Sequence, residues 1–265
     1  MKIVLSLFQS GFTLSKPDVN FERVANAARE AAKRGSDILL LPELWASGYD
    51  LPNCKEYASG VDSGDFERLR RLAKQYKLMI GGSLLEAAKG KVFNTFVLFD
   101  KAGEPVASYR KIHLFSLLRE NDYLAAGNRI VLADTPFGKL GMTICYDLRF
   151  PELYRLLALQ GAEIIFNVAE WPERRINHWD ILLKTRAIEN QVFIAAVNKV
   201  GESSGARLGG HSVILDPWGR EVVFGSTHEV LLTAGIDTGE IQRARKWIPV
   251  LRDRRDDVYG FARKT

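Results

Sequence analysis

Cys145 stands where a chain would present a nucleophile. It ends an apolar run, Leu140-Gly-Met-Thr-Ile-Cys145, that is typical of a buried strand. A helix is predicted to begin at Pro151, where leucines follow at helical spacing. The thiol would therefore lie on a tight strand-to-helix turn, where nearby backbone N–H groups lower a thiol pKa and can stabilise an oxyanion. Because a lone cysteine after an apolar run is more often structural, the flanking residues decide between the two interpretations.

Two charged residues offer the other groups that thiol chemistry on a carbonyl requires. Glu43 closes the run Ile-Leu-Leu-Leu-Pro-Glu, and an acid at a buried strand end is costly unless it is paired or acts as a base. Lys111 follows Ser-Tyr-Arg, where a cation could depress the thiol pKa, orient the base and stabilise an oxyanion. Taken singly, Glu43 could simply cap the next segment and Lys111 could be a solvated surface residue.

The elements that would position these residues occur twice along the chain. Residues 31–43 resemble residues 157–170, each with a glycine at a helix end, an acidic residue and a buried strand. Residues 94–104 match residues 211–221 as hairpin arms around a turn. Strands that are apolar along their length indicate sheets covered by helices. The sequence therefore predicts an α/β fold, a four-layer α-β-β-α sandwich of two mixed sheets with pseudo-two-fold internal symmetry.

Four helices are predicted to cover these sheets. Their ranges are 20–33, 65–76, 151–160 and 176–190. Asn20 is the predicted N-cap of the first, because its side chain can accept hydrogen bonds from the free N–H groups of the first turn.

Length and composition limit which kinds of protein this chain can be. The length of 265 residues with no Pro/Gly/Ser-rich linker predicts one domain over residues 1–265. The 37 Lys and Arg are interleaved with 32 Asp and Glu, so the net charge of +5 does not indicate nucleic-acid binding. The first residues are too short an apolar run for a signal peptide, and no run reaches the roughly 18 residues of a membrane span. We expect a cytoplasmic protein in which Cys54 and Cys145 stay reduced and Cys54 is inert.

Histidines and metal-ligand patterns point to no cofactor. His113, His178, His211 and His228 are scattered without metal-ligand spacing. The sequence therefore predicts no metal and no other cofactor.

Three separated segments carry a family resemblance. They read Leu40-Leu-Pro-Glu43-Leu-Trp-Ala-Ser-Gly-Tyr49, Tyr109-Arg-Lys111-Ile-His113, and Gly141-Met-Thr-Ile-Cys145-Tyr-Asp-Leu-Arg-Phe-Pro151-Glu152. With them the chain resembles the nitrilase superfamily of carbon–nitrogen hydrolases over residues 1–259. The resemblance implies that Glu43 is the general base, Lys111 the transition-state stabiliser and Cys145 the nucleophile, with Glu120 as a second glutamate. It also implies a homodimer packed through residues 151–160 and about 245–265.

Details of the motifs favour the amidase branches. Cys145-Tyr-Asp followed by Arg149-Phe-Pro-Glu152 resembles amidases, whereas true nitrilases more often place Trp-Glu after the nucleophile. Residues 171–179, 186–190 and 248–259 are most similar to omega-amidases, which hydrolyse monoamides of dicarboxylates.

A pocket for such a substrate needs a group that binds the distal carboxylate. Arg174 or Arg175 could hold it bidentately, although either is equally explained as a surface or interface residue. Tyr49 and Trp171 follow strand ends and are the better aromatic candidates for the pocket, with Tyr146 next to the thiol.

Three other functions remain open at this point. Hydrolysis of N-carbamoyl amides would use the same residues and release carbon dioxide with ammonia. A Cys–His peptidase would use His178 or His211, for which the sequence has no flanking motif. A non-catalytic binding protein on the same scaffold would be favoured if Glu43, Lys111 or Cys145 were absent, and all three are present.

Overall fold

Two six-stranded sheets form the centre of the structure, a computed structural model that describes residues 1–203 and 205–259. The strands are β1 (Lys2–Gln9), β2 (Ile38–Leu40), β3 (Met79–Ala88), β4 (Lys91–Phe99), β5 (Pro105–Arg110), β6 (Leu132–Thr135), β7 (Gly138–Ile144), β8 (Ile164–Ala169), β9 (Phe193–Asn198), β10 (Val200–Ser203), β11 (Ala206–Gly209), β12 (Val213–Leu215), β13 (Glu221–Phe224) and β14 (Val230–Asp237). The helices are α1 (Pro17–Lys33), α2 (Cys54–Tyr57), α3 (Gly64–Tyr76), α4 (Glu120–Tyr123), α5 (Pro151–Leu159), α6 (Ile176–Asn190), α7 (Gly239–Trp247) and α8 (Asp256–Tyr259).

The two sheets have the same topology. The first runs β14-β1-β2-β3-β4-β5, and the second, read from its equivalent edge, runs β6-β7-β8-β9-β12-β13. In each, three central strands are parallel and the flanking strands are antiparallel. Each half follows strand, helix, strand, helix, strand and hairpin, which confirms the predicted repeat. The outer strands β14 and β6 were not predicted, and β10 and β11 form a separate two-stranded ribbon.

Alternating side chains divide the core into layers. In β2, Ile38 and Leu40 point into the core between the sheets, whereas Leu39 points toward the outer helices. In β8, Phe166 lies in the same central core and Ile165 packs beneath the helices on the opposite side. The helices α1 and α3 cover the first sheet and α5 and α6 cover the second, so the predicted four-layer sandwich is confirmed.

The helix boundaries agree with the predicted ranges to within one residue except at α1. Its first residue is Pro17 and not the residue after Asn20, because the fixed φ of proline suits the first helical position. Asn20 is fully buried and does not cap the helix. Its amide instead donates hydrogen bonds to the backbone oxygens of Thr13 and Ala46, and so holds the loop before α1 against the loop after β2.

The strand ends that carry the candidate residues meet at one edge of the sandwich. Glu43 comes three residues after β2, Lys111 directly after β5 and Cys145 directly after β7. A long hydrogen bond from Glu43 N to Ala169 O, at 3.5 Å, joins the loops of the two sheets there. Within the described residues, no helix combines the length and apolar character needed to cross a membrane.

Candidate active site

Cys145 occupies a strained turn at the end of β7. Its φ is +43°, in the left-handed region that residues with a Cβ adopt rarely and at a cost on the order of 1–3 kcal/mol. A single 3-10 turn, Cys145–Arg149, connects the strand to α5. This is the predicted strand-to-helix turn, and it directs the half-buried thiol into a cavity.

Glu43 is fully buried, and hydrogen bonds fix the orientation of its carboxylate. Its Oε1 atom accepts hydrogen bonds from the Tyr49 hydroxyl at 2.6 Å, Asn94 Nδ2 at 2.8 Å and Lys111 Nζ at 2.8 Å. Its Oε2 atom accepts a hydrogen bond from the backbone N–H of Glu170, at 3.0 Å. Oε1 is therefore saturated, and Oε2 retains the capacity to take a proton.

Lys111 lies between two carboxylates in the same buried cluster. Its Nζ donates to Glu43 Oε1 and to Glu120 Oε1, both at 2.8 Å, and both ion pairs are fully buried. The third contact, to the Tyr49 hydroxyl, is long at 3.4 Å. Because an ammonium group has three protons, the third remains available for a substrate oxygen.

The environments of the two glutamates push their pKa values apart. Burial alone would raise the pKa of Glu43, but the charge and hydrogen bond of Lys111 outweigh burial and lower it. For Glu120, burial and the charge of Glu43 prevail and raise the pKa. A carboxylate whose ionised form is stabilised can accept a thiol proton, so these shifts suit Glu43 to the role of base and Glu120 to an orienting role. Burial, with the charges of Glu120 and Glu43, raises the pKa of Tyr49, whose hydroxyl stays a donor.

The resting state of Cys145 differs from the sequence-based expectation. Burial raises the pKa of the thiol well above its ordinary value, and the charge of Glu43 raises it further. The charge of Lys111 acts in the opposite direction, as expected, but is outweighed. Cys145 therefore rests as a neutral thiol beside an ionised carboxylate, an arrangement that suits removal of the proton during attack.

The thiol opens into a cavity of about 270 Å³. All nine residues predicted from sequence lie at or beside it. Those among its lining residues are Tyr49, Glu120, Cys145, Tyr146, Trp171, Arg174 and Arg175, while Glu43 and Lys111 lie behind it in the buried cluster. Trp179, by contrast, is fully buried in the core beneath α6.

Three arginines of the cavity lack a carboxylate partner among the described residues. Arg149 lies with its guanidinium over the Trp171 ring, 4.7 Å from the centroid, and Arg175 lies 5.4 Å from the centroid of Phe115. Arg174 is exposed at the rim. Burial and the charges of the neighbouring arginines lower the pKa of Arg175. An anion bound among them would relieve this repulsion.

Arg149, Asn94 and Asp147 were not assigned a role from the sequence. Asn94 is a fully buried polar residue inside an apolar strand, a placement costly enough to have been a signal. Asp147 is fully buried one residue beyond Tyr146. Arg149 stood within a quoted motif but gave no indication that its side chain turns toward the cavity.

Histidine and metal chemistry find no support in this geometry. Among the described residues no histidine forms a hydrogen bond with Cys145. His178 Nδ1 contacts Arg149 Nη1 at 3.3 Å, and His211 Nδ1 contacts Asp180 at 3.0 Å. The described part of the chain contains no group of three or more His, Cys, Asp or Glu side chains placed to hold a metal ion.

Comparisons with known proteins all match this chain to carbon–nitrogen hydrolases. The family model described as carbon-nitrogen hydrolase matches residues 6–246. A 2-oxoglutaramate amidase of Bacillus subtilis is 39% identical over 260 residues, covering 98% of this chain and 100% of that protein. Omega-amidase NIT2 of Mus musculus is 34% identical over 274 residues, covering 98% of both chains.

A solved structure with the same fold carries a covalent modification at its own active-site cysteine. It is a mutant of the amidase from Nesterenkonia sp. AN1, which shows covalent addition of the acetamide moiety of fluoroacetamide at the active-site cysteine. That chain superposes with a TM-score of 0.87 at 25% identity, covering 97% of this chain and 95% of its own.

Proposed function

The chain belongs to the carbon–nitrogen hydrolase family and is an amidohydrolase, and we propose that it hydrolyses short dicarboxylate monoamides to the diacid and ammonia. The observation that carries this proposal is a cavity with two kinds of group. Cys145 and the cluster of Glu43, Lys111 and Glu120 lie at its inner end, and arginines that pair with no carboxylate of the described residues lie around it. A substrate with an amide at one end and a carboxylate at the other matches both.

Acylation follows from the positions of the buried groups. As Cys145 Sγ attacks the amide carbon, its proton passes to Glu43, whose Oε2 is not saturated. The carbonyl oxygen becomes an oxyanion, stabilised by the third proton of Lys111 and by the Tyr146 backbone N–H. The carbon–nitrogen bond then breaks, the nitrogen takes the proton from Glu43, and ammonia leaves a thioester on Cys145.

Deacylation uses the same groups in reverse. Water enters where ammonia has left and gives a proton to Glu43 as its oxygen attacks the thioester carbon. The carbon–sulfur bond breaks, the thiolate regains the proton, and the diacid leaves. Glu120 and Tyr49 hold Lys111 and Glu43 in position throughout, through the hydrogen bonds already described.

N-carbamoyl amide hydrolysis is the second candidate, because those of its substrates that are N-carbamoyl amino acids also carry a carboxylate. The relatives named as 2-oxoglutaramate amidase and omega-amidase favour the monoamide. The test is a panel of short monoamides, carbamoyl amines and nitriles, with ammonia and carbon dioxide both measured. Succinamate should be hydrolysed fastest with no carbon dioxide. Carbon dioxide release from a better carbamoyl substrate would overturn the monoamide assignment.

Neutralising Arg175 should weaken binding of the anionic end of the substrate. We expect Arg175→Gln to raise KM for succinamate by about 10- to 100-fold, because a charged hydrogen bond contributes about 1.5–3 kcal/mol. KM for butyramide, which has no carboxylate, should change less than about threefold. Arg174→Gln, which removes a more exposed guanidinium, should have a smaller effect.

Arg119→Gln is the matched control. Arg119 lines the same cavity but already forms an ion pair with Asp122, at 2.7 Å. Its replacement should leave both KM values nearly unchanged. An equal loss on succinamate and butyramide in Arg175→Gln would exclude a carboxylate-binding role for this residue.

We propose that residues 1–265 act as one domain in the cytoplasm. Glu43 and Lys111 come from the first sheet and Cys145 from the second, so neither half holds the whole candidate site.

The proposed homodimer is supported by apolar surface near the C-terminal end of the described chain. Trp247 is 79% exposed, and Val258 is 64% exposed. A second copy packed there would cover both exposed side chains. Residues 260–265 of the predicted interface segment lie outside the described residues.

Sedimentation velocity at micromolar concentration tests the dimer. The wild type should sediment at about twice 29.8 kDa, and Trp247→Glu should move it toward the monomer. Val19→Glu, which alters a 47% exposed residue on α1, should stay dimeric. A wild-type species of a single chain mass would rule out the assembly.

A further inference from the structure

We propose that Asp147 is a positioning residue that holds the Cys145 turn and the Lys111 segment in fixed register. The inference rests on the proposed function, since it assigns Asp147 to the same reaction. Asp147 is fully buried, and no lysine or arginine of the described residues pairs with it. A buried carboxylate without a cation is expensive unless hydrogen bonds satisfy both oxygens.

The four contacts of the Asp147 carboxylate come from both segments. Oδ2 accepts hydrogen bonds from the Tyr109 hydroxyl at 2.7 Å and from Ile144 N at 2.9 Å. Oδ1 accepts one from His113 N at 3.2 Å and contacts His113 Nδ1 at 2.7 Å. The Tyr109 hydroxyl in turn accepts a hydrogen bond from Ile112 N, at 3.2 Å.

These partners bracket the two reacting residues in the chain. Lys111 lies between Tyr109 and His113, and Cys145 lies between Ile144 and Asp147 itself. One carboxylate therefore connects the end of β5 in the first sheet with the strained turn after β7 in the second. The His113 ring also stacks on Phe150, with centroids 3.6 Å apart and planes at 7°, which adds a second contact between the same segments.

The connection matters because the reaction needs both groups at one carbonyl. Cys145 Sγ must reach the carbon while Lys111 Nζ reaches the oxygen, and displacements of about 1 Å can cost on the order of 10²-fold in rate. Glu43 and Glu120 fix the Lys111 ammonium but not its backbone. Asp147 supplies the missing constraint between that backbone and the nucleophile turn.

The test compares Asp147→Asn with two tyrosine variants. The asparagine keeps the shape but turns an NH₂ group toward two donors, so kcat for succinamate should fall by about 30- to 300-fold with KM within about threefold. Tyr109→Phe removes one donor and should lower kcat by about 3- to 10-fold. Tyr154→Phe is the matched control, because its fully buried hydroxyl bonds Thr143 and Asn167 and does not touch Asp147. It should lower the melting temperature but leave kcat unchanged.

All variants are assayed well below their melting temperatures, with circular dichroism to establish that they are folded. Wild-type kcat in folded Asp147→Asn, or in Tyr109→Phe if the asparagine variant does not fold, would overturn the proposal. So would an equal loss of kcat in Tyr109→Phe and Tyr154→Phe, since that would indicate general destabilisation. Absence of amidase activity in the wild type would refute the proposed function itself, and the role of Asp147 with it.

Discussion

Replacing Cys145 by alanine should abolish ammonia release from every amide substrate, with kcat lower by about four orders of magnitude or more. Without the thiol no thioester can form, and the remaining groups can only orient water, as in other enzymes that lose a nucleophile. The fold should persist, because the half-buried thiol is small and its hydrogen bond to Glu170 O is weak, at 3.9 Å. We expect the unfolding free energy to change by less than about 1 kcal/mol.

Mass spectrometry and a control variant check this prediction. Mass spectrometry of the wild type quenched during turnover should detect an acyl adduct on the peptide that contains Cys145, and the alanine variant should have none. Cys54→Ala provides the control, because it removes the other cysteine, a buried thiol that contacts Tyr123 O and does not hydrogen-bond Glu43, Lys111 or Glu120. It should retain full activity. Turnover that survives in pure Cys145→Ala protein would refute the nucleophile assignment and, with it, the thioester mechanism.

The sequence predicted the sheets and the convergence of three residues because both follow from local patterns. Strands that are apolar along their length and helices that end in glycine recur in each half, and strand ends carry Glu43, Lys111 and Cys145. The ends of β2 and β5 lie at the same edge of the first sheet, whereas the approach of Cys145 depends on how the second sheet packs against the first. The edge strands β6 and β14 were missed because each is only partly buried and gives a weak apolar pattern.

The sequence could not predict the pKa of Cys145, because burial and the two neighbouring charges shift it in opposite directions. A cation near Cys145 was expected to lower the thiol pKa, but burial and Glu43 together exceed its effect. Only coordinates give the relative size of these contributions. Likewise Asn20 has the residue type of an N-cap, yet its side-chain amide donates hydrogen bonds to the backbone oxygens of Thr13 and Ala46, neither of which belongs to the helix.

The arginines of the cavity could be predicted only in part from the sequence. Arg174 and Arg175 were candidates because they follow β8, next to the strand that ends at the nucleophile. Arg149 is equally near the cavity but comes from the turn after Cys145 itself, where a sequence gives no side-chain direction. Whether an arginine pairs with a carboxylate depends on every acidic side chain near it, and only the three-dimensional structure gives those positions.

Replacing Glu43 by glutamine should have the second largest effect. We expect kcat to fall by about 10²- to 10⁴-fold, because glutamine keeps the shape of the side chain but cannot accept the thiol proton. Oε1 of the native carboxylate accepts three hydrogen bonds, and an amide oxygen can retain some of them. Binding of succinamate should therefore change little, and the loss should be confined to kcat.

The stability of the same variant relative to wild type should depend on pH in a predictable direction. The folded-state pKa of Glu43 is lowered by Lys111 despite burial, so ionised Glu43 stabilises the fold above its unfolded pKa. That contribution is lost as pH falls through the lower folded value. The stability deficit of Glu43→Gln relative to wild type should thus be full at neutral pH and shrink as the pH drops below about 4.5, the ordinary range of a glutamate.

Glu120→Gln is the control because its shift has the opposite direction. Burial and the charge of Glu43 raise the pKa of Glu120, so its ionisation opposes folding increasingly as the pH rises from its unfolded pKa toward the raised folded value. Relative to wild type, Glu120→Gln should therefore gain stability as the pH rises, whereas Glu43→Gln should lose it. Denaturant unfolding from pH 3.5 to 7.5 measures both differences. If the two variants show the same pH dependence, the carboxylates share one environment, and the assignment of Glu43 as the ionised base fails.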